Sequence, residues 1–230
     1  MGIELFTAPT PNGYKASVTL EELGLQYDVN VIDLLSNQQK SPDYIRINPN
    51  GRIPTIIDRD ENDFAVFESG AIMIYLAEKA GRLLPTRPKA RSEVLQWLMF
   101  QMGGVGPMMG QANVFHRYFP ERLPSVVNRY QNEVGRLFGV LDAQLSRNEY
   151  LVNEYSIADI ANWCWVRSYA WSGVELDEYP NLRRWHDEIG KRPPAQRGVQ
   201  VPFDTVALLA TEQGRRAFLD GARNVVDSGK

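Results

Sequence analysis

The polar residues best placed for chemistry stand where a predicted strand gives way to a predicted helix. Ser69 directly precedes a helix, and Thr10 and Asn12 lie between the first strand and the first helix. The first N–H groups of a helix are unpaired and carry a partial positive charge, so a carboxylate binds there readily. Ser69 is therefore a candidate anion-binding residue, although a serine also caps a helix without any ligand. Thr10-Pro11-Asn12-Gly13 also has the composition of a simple turn.

The cysteine and the histidines indicate little chemistry of their own. Cys164 is the single cysteine, and it lies in a predicted helix rich in aromatic residues, which favours a buried structural role. One cysteine excludes an internal disulfide and a Cys-x-x-Cys motif. His116 and His186 lack the spacing of metal ligands. Gly103-Gly104-Val105-Gly106 lacks the Gly-Lys-Ser/Thr ending of a phosphate loop. We expect no metal site.

The elements that position Ser69 and Thr10 alternate between strand and helix over the first 85 residues. Hydrophobic periodicity and turn residues predict strands at 3–7, 27–31, 53–57 and 64–67, and helices at 14–23, from Ser41-Pro42 onward and at 70–80. The predicted order is β-α-β-α-β-β-α. Such an order forms a small mixed sheet with helices on its faces.

Beyond residue 88 the strand signals largely vanish and helical spacing takes over. An amphipathic helix is predicted after Pro124, and Ser156 with Asp159 predicts a capped helix start. A final amphipathic helix opens at Tyr179-Pro180, reaches about Arg192 and is ended by Pro193-Pro194. The predicted organisation is a mixed domain at 1–85, an all-helical domain at 89–200 and an extension with weak helical character at 201–230.

The composition of the chain argues against several classes of function. Lys plus Arg number 25 and Asp plus Glu number 28, a mildly acidic balance that argues against nucleic-acid or anionic-membrane binding. The longest apolar run, Ala71 to Ala77, is far shorter than the roughly 20 residues that span a bilayer. The first residues do not combine a basic region with a long apolar core, so no secretory signal is expected. We expect a cytoplasmic protein.

This layout resembles the glutathione transferase superfamily, in which a thioredoxin-like domain precedes a helical bundle. Ile53-Pro54 stands where that family carries a cis-proline, and Phe67-Glu68-Ser69-Gly70 matches its Glu-Ser motif. Tyr155-Ser156-Ile157-Ala158-Asp159-Ile160 matches its motif in the helical domain. The segments 8–13, 96–97 and 103–108 look most like the nu class, bacterial and fungal proteins with glutathione-dependent disulfide-bond reductase activity. The resemblance covers residues 1 to about 195.

The resemblance implies a glutathione site on seven residues: Thr10, Asn12, Gln39, Ile53, Glu68, Ser69 and Arg129. Ser69 and Glu68 would hold the γ-glutamyl end of glutathione. The backbone of Ile53 would pair with its cysteinyl part like one more strand, although the Ile53 side chain also suits the core. Gln39 would cover the glycine end. Arg129 would reach the ligand of the partner subunit in a homodimer, although it is equally placed to pair with Glu133 one helical turn away.

Thr10 and Asn12 are the implied catalytic residues. Other classes of the family use Tyr, Ser or Cys in this loop, and no obvious equivalent is present here. A hydroxyl and an amide near a helix N-terminus would lower the pKa of the glutathione thiol, because only the thiolate attacks a disulfide. The resemblance thus implies a glutathione-dependent disulfide-bond reductase with glutathione as co-substrate. The alternatives are conjugation of electrophiles or reduction of organic hydroperoxides, and a non-catalytic glutathione-binding regulatory protein.

Overall fold

The computed structural model of the chain describes residues 2–205 and 210–227, and the chain divides into two compact units. The first unit is Met1–Arg82 together with Pro193–Lys230, and the second is Leu83–Arg192. The domain boundaries at 85, 89 and 200 stay predictions. Within the part of the chain described, no helix is long and apolar enough to cross a membrane.

A four-stranded mixed sheet forms the centre of the first unit, with the strand order β2-β1-β3-β4. The strands are β1 (Ile3–Thr7), β2 (Tyr27–Val31), β3 (Thr55–Asp58) and β4 (Phe64–Phe67), and the helices are α1 (Pro11–Leu23), α2 (Pro42–Ile47) and α3 (Ser69–Ala80). β1 and β2 are parallel, whereas β3 runs antiparallel to β1 and to β4. This arrangement confirms the predicted thioredoxin-like order β-α-β-α-β-β-α.

Three element starts differ from the predicted ones, and one of them, that of α3, differs by a single residue, at Ser69 rather than Gly70. α1 begins at Pro11 rather than at Tyr14, because Thr10 caps the helix and proline is well tolerated at the first helical position. β3 begins at Thr55 rather than at Ile53, since its pairing with β1 and β4 starts there. The predicted helix ends are confirmed at Gly24 and Gly81, which have φ values of +69° and +64°.

Every regular element of the second unit is a helix, and all of its residues are described. These helices are α4 (Pro88–Phe100), α5 (Gly106–Asn113), α6 (Pro124–Leu145), α7 (Ile157–Val166) and α8 (Pro180–Gly190), with π-helical turns at Gln101–Val105 and Val114–Tyr118. The apolar stripe of α6 faces the core through Val134, Leu137 and Leu141. The capping box predicted from Ser156 and Asp159 is present at the start of α7. The predicted helical second half is therefore confirmed.

The chain returns to the first unit after α8. α8 ends at Gly190, and Pro193-Pro194 begins a new helix, α9 (Pro193–Gly198), instead of only ending the previous one. A proline in the first helical turn lacks only an N–H that would be unpaired anyway. A 16-residue helix, α10 (Glu212–Asp227), exceeds the weak helical character predicted for 201–230. Residues 206–209 and 228–230 of that segment lie outside the described residues.

Candidate functional site

Thr10 ends the loop after β1 and forms the N-cap of α1. Its backbone is extended, and its Oγ1 accepts the N–H of Gly13 at 3.1 Å. A Cβ on Gly13 would lie 2.2 Å from the Ala8 carbonyl oxygen, so the loop closes too tightly for any other residue. Asn12 is half-buried in the first turn of α1. The hydroxyl of Thr10 and the amide of Asn12 therefore lie at the positive end of the α1 dipole.

Ser69 is the first residue of α3, and Glu68 is its N-cap. Ser69 is buried, with 4% of its surface exposed. Glu68 has φ +69° and ψ 118°, a region that non-glycine residues rarely adopt and that clusters at functional sites. The Glu68 side chain makes no capping bond, and Oε1 instead accepts the Nδ2–H of Asn50 at 3.3 Å. The first turn of α3 is thus not capped by its own N-cap side chain, which leaves it suited to an anion.

Gln39 lies in a short 3₁₀ turn, Gln38–Lys40, and its side chain is buried. Gln39 Oε1 is one of the buried side-chain atoms without a hydrogen-bond partner in the described part of the chain. A buried acceptor without a partner costs free energy, and a ligand N–H would remove that cost. The Gln39 backbone passes Gly51, whose added Cβ would lie 3.0 Å from the Gln39 carbonyl oxygen. Gly51 follows Asn50, the residue whose side-chain amide donates to Glu68.

Ile53 precedes β3, and the Ile53–Pro54 peptide bond is cis, as the family resemblance implies. The Tyr44 hydroxyl donates to the Arg52 carbonyl at 2.9 Å and lies 2.9 Å from Thr55 Oγ1. Since a hydroxyl has one hydrogen to donate, Tyr44 accepts from Thr55. These bonds from α2 fix the backbone on both sides of Ile53, whose side chain is half-buried.

Lys15 connects the α1 and α3 parts of the site. Its side chain is 1% exposed, and Nζ donates to Ser69 Oγ at 3.3 Å. Lys15 lies in the second turn of α1, one turn beyond Asn12. The bond therefore places the first turns of α1 and α3, with Thr10 and Asn12 on one and Ser69 on the other, at neighbouring points of the first unit.

Arg129 lies on α6 in the second unit, apart in the chain from the six other predicted ligands, which all belong to the first unit. Its side chain is 70% exposed, and Nη1 lies 3.8 Å from Glu133 Oε2. Glu133 binds Arg136 more closely, at 2.7 Å, and this hydrogen bond lowers the pKa of Glu133. The ion pair between Arg129 and Glu133, which was the alternative role predicted for Arg129, is thus present, although it is long and solvent-exposed.

Cys164 is fully buried in α7, as predicted. His186 lies 2.9 Å from Asp187 Oδ1, and His116 belongs to the second π-helical turn. Among the residues described, no group of three or more His, Cys, Asp or Glu side chains is arranged to hold a metal ion.

Comparison with protein families matches both halves of the chain. The glutathione S-transferase N-terminal domain matches residues 1–78, and the glutathione S-transferase C-terminal domain matches residues 97–193. The chain belongs to the glutathione S-transferase family. This membership confirms the resemblance drawn from the sequence motifs, and several relatives of the chain are named as enzymes.

Among the relatives within the family, some are named disulfide-bond oxidoreductases and others glutathione S-transferases. The disulfide-bond oxidoreductase YfcG of Escherichia coli is 43% identical over 196 residues, covering 83% of this chain and 91% of that protein. Glutathione S-transferase 1 of Schizosaccharomyces pombe is 37% identical over 205 residues, covering 81% of this chain and 90% of that protein. A crystal structure of a family member from Pseudomonas fluorescens with two glutathione bound has a TM-score of 0.81 at 41% identity, covering 86% of this chain and 92% of that one.

Sequence reasoning missed Lys15 and Asn50 as members of the site. A lysine or asparagine is exposed by default, and nothing in the spacing of Asn50 distinguishes it from a turn residue. The sequence around Lys15 gives no sign that the lysine is buried, whereas the structure shows α1 buried on almost every side. Only the packing of α1 reveals that the ammonium group is enclosed.

Proposed function

We propose that this family member is a glutathione-dependent enzyme that reduces disulfide bonds. The observation that carries the proposal is the hydrogen bonding of Thr10. Its Oγ1 accepts the Gly13 N–H, and its hydroxyl hydrogen remains to be donated to a ligand at the positive end of α1. A group of this kind favours a thiolate over a thiol. The name of the Escherichia coli relative supports the same reaction class.

The residues of the first unit divide between the parts of glutathione. Ser69 and the first turn of α3 take the γ-glutamyl carboxylate, and the Glu68 carboxylate takes the neighbouring ammonium group. The backbone of Ile53 pairs with the cysteinyl residue, and the buried Gln39 Oε1 accepts from an N–H at the glycine end. Thr10 and Asn12 donate to the sulfur. In the same proposal Arg129 contributes from the partner subunit of a homodimer.

The reaction is a pair of thiol–disulfide exchanges. The bound glutathione thiolate attacks one sulfur of the substrate disulfide, so a mixed disulfide forms, the substrate S–S bond breaks and a thiolate leaves, taking a proton from solvent. A second glutathione thiolate attacks the glutathione sulfur of the mixed disulfide. This step releases the second substrate thiol and forms oxidised glutathione. Both electrons come from glutathione, because the single cysteine, Cys164, is fully buried.

Turnover of hydroxyethyl disulfide with glutathione tests the proposal. Thr10→Ala and Asn12→Ala are each expected to lower kcat/KM about tenfold or more, because one pKa unit on the thiol corresponds to about 1.4 kcal/mol. Thr10→Ser keeps both the cap and the hydroxyl and should retain most of the activity. Cys164→Ala should also retain it, since no protein thiol takes part. An inactive native protein, or full activity in Thr10→Ala, contradicts the proposal.

Conjugation of glutathione to electrophiles is the second candidate, favoured by the name of the Schizosaccharomyces pombe relative. A stabilised thiolate serves either reaction, so the two differ in the acceptor and not in the sulfur site. Turnover of chlorodinitrobenzene in place of the disulfide would establish conjugation. Glutathione binding without turnover of a disulfide, an aryl halide or a hydroperoxide would establish the non-catalytic alternative.

A further inference from the structure

Two side-chain amides inside the second unit have polar atoms without a hydrogen-bond partner. Gln101 and Asn162 are both fully buried. Among the residues described, neither amide atom of Gln101 has a partner, and neither does Asn162 Oδ1. Such atoms are rare in folded proteins, because a buried polar group that loses its bonds to water must find others. These three atoms therefore point to a bound molecule that both donates and accepts hydrogen bonds.

The two amides lie at the contact between α7 and the helical segment formed by α4 and the π-helical turn after it. The Gln101 N–H and Asn162 Nδ2 both donate to the Trp97 carbonyl, the latter at 3.1 Å. One turn further along α7, Trp165 Nε1 lies 3.2 Å from the position of an added Cβ on Gly106. Gln101 Nε2 lies 2.4 Å from the same position. The Gln101 side chain is thus placed against α7, between Asn162 and Trp165.

The orientation of the Asn162 amide is fixed by its neighbours. Nδ2 donates to the Trp97 carbonyl and, at 2.9 Å, to the Ala158 carbonyl. Carbonyl oxygens only accept, so these bonds require the NH₂ group on that side and leave Oδ1 as an acceptor on the other. Gln101 adds one donor group and one acceptor in either orientation of its own amide. The contact therefore offers one donor group and two acceptors.

Water is the molecule that matches these groups. It both donates and accepts, and buried water molecules make about three hydrogen bonds to polar groups that the protein leaves unpaired. A water can donate to Asn162 Oδ1 and bond to the Gln101 amide, by accepting from Nε2 or by donating to Oε1. A second water bonded to the first would serve the remaining Gln101 atom. Neither side chain has exposed surface, so a larger ligand would have to displace the packing of α7.

We propose that internal water bridges the Gln101 amide to Asn162 Oδ1 and joins the first π-helical turn to α7. In that turn the Gly106 N–H donates to the Gln101 carbonyl, five residues earlier. π-Helical turns are rare and appear mostly at functional sites. Here the turn directs the Gln101 side chain to the water, and the water gives the turn a hydrogen-bonded link to the neighbouring helix. None of the residues proposed to bind glutathione takes part.

A crystal structure of the native protein that includes its ordered water tests the inference. We expect a water oxygen about 2.7–3.2 Å from Asn162 Oδ1 and at a similar distance from an amide atom of Gln101. The inference is overturned if no water lies there, or if Gln101 bonds directly to Asn162 or to a backbone group instead.

The stability of Gln101→Met tests the same bridge in solution. If water links the two amides, the variant leaves Asn162 Oδ1 and the water without the Gln101 partner. The equilibrium constant for unfolding should then rise about tenfold, the effect of leaving a buried polar group unpaired. Without the bridge, the substitution removes only polar atoms that had no partner, so the variant would be at least as stable as the native protein. Gln111→Met, at an exposed position of α5, is the matched control.

Oxygen-17 relaxation dispersion supplies a readout that a purely structural role of Gln101 would not change, because it detects water held inside a protein for long times. The native protein should hold at least one more such water than Gln101→Met, and equal numbers would overturn the inference. A Gln101→Met variant that is as stable as the native protein would overturn it too. If that variant does not fold, the crystal structure of the native protein decides by itself.

Discussion

Single side chains at the candidate site have their hydrogen-bonding roles fixed by their neighbours. Gly13 uses the acceptor capacity of Thr10, Lys15 uses that of Ser69, and Asn50 holds Glu68. The Thr10 hydroxyl keeps its hydrogen to donate, whereas the Glu68 carboxylate can only accept. A glutathione site at these residues, as proposed above, would be organised before the ligand arrives, which would reduce the free-energy cost of ordering on binding.

In the second unit, neighbouring groups likewise set the hydrogen bonds of Asp159, and the protonation of this side chain affects the stability of the fold. Its carboxylate is fully buried and accepts from Leu151 N–H at 2.9 Å, Ser156 N–H at 3.0 Å, Ser156 Oγ–H at 3.2 Å and Trp185 Nε1–H at 3.0 Å. Burial raises the pKa of Asp159 to about 6, although these hydrogen bonds oppose the shift.

The folded state therefore holds a proton on Asp159 in the range where the unfolded chain has released it. Stability from this group is complete below about pH 4 and is lost as the pH rises through about 6. The free energy of unfolding of the native protein should fall by about 3 kcal/mol relative to that of Asp159→Asn between those limits. Urea unfolding across this pH range measures the difference, with Asp28→Asn, at an exposed strand position, as the control. A flat or rising difference would show that the pKa of Asp159 is not raised.

Two π-helical turns interrupt the α-helices of the second unit. The first of them contains a buried side-chain amide. Gln101 is fully buried at the start of the turn Gln101–Val105, and both of its amide atoms lack a hydrogen-bond partner among the described residues. π-Helical turns interrupt α-helices mostly at functional sites. Gly106 follows this turn, and an added Cβ would lie 2.4 Å from Gln101 Nε2 and 3.2 Å from Trp165 Nε1. The turn thus depends on the absence of a side chain at position 106.

Gly106→Ala should destabilise the second unit by about 1–3 kcal/mol, because the fully buried Gln101 side chain and the half-buried Trp165 ring would both have to shift. Gly103→Ala lies in the same turn but has no atom within 4 Å of the added Cβ. The latter change should be neutral or stabilising by up to about 1 kcal/mol, since alanine loses less backbone freedom on folding. Denaturant unfolding of the two variants side by side checks the contrast. If both substitutions changed the free energy of unfolding equally, the neighbours of Gly106 would be able to accommodate the added Cβ without destabilising the protein.

At the scale of the whole molecule, the chain leaves the first unit at Arg82 and rejoins it at Pro193. α9 makes this return contact against α1. Ser17 Oγ donates to the Gly198 carbonyl at 2.7 Å, and Tyr14, whose hydroxyl lies 3.3 Å from Thr205 Oγ1, extends the contact along the chain. α1 carries Thr10, Asn12 and Lys15, so the segment after α8 supports the helix on which the candidate site is built.

Gly198→Ala is expected to displace α9 from α1, since the added Cβ would lie 2.6 Å from Val18 Cα and 2.7 Å from Val18 N, and backbone atoms cannot give way. Hydrogen exchange should become faster in α9 and in the facing part of α1, and overpacking of this kind costs about 1–3 kcal/mol. Gly190→Ala is the matched control, because its nearest contact, Trp163, is 3.9 Å away. Unchanged exchange in the Gly198 variant would show that α9 packs loosely.

The sequence by itself determined the order of elements and the family. Apolar and polar residues alternate along the strands, and helices have capping residues at their starts and glycine at their ends. These local signals predicted every strand of the sheet and the capping box of α7. The same local signals misplaced the start of α1 and assigned Pro193-Pro194 only the role of ending a helix. A proline in a sequence does not reveal whether it closes one helix or opens the next.

Only the tertiary structure decided which polar groups are enclosed and which way their hydrogen bonds run. Lys15 has the sequence signature of a solvated residue, yet packing on every side of α1 encloses it against Ser69. Gln39 likewise has the pattern of a loop glutamine, yet its carbonyl oxygen is buried without a partner. Burial depends on contacts between segments distant along the chain, whereas residue spacing reports only on neighbours within a few positions. The physical cause of the burial of these two side chains therefore lies in the fold and not in any single motif.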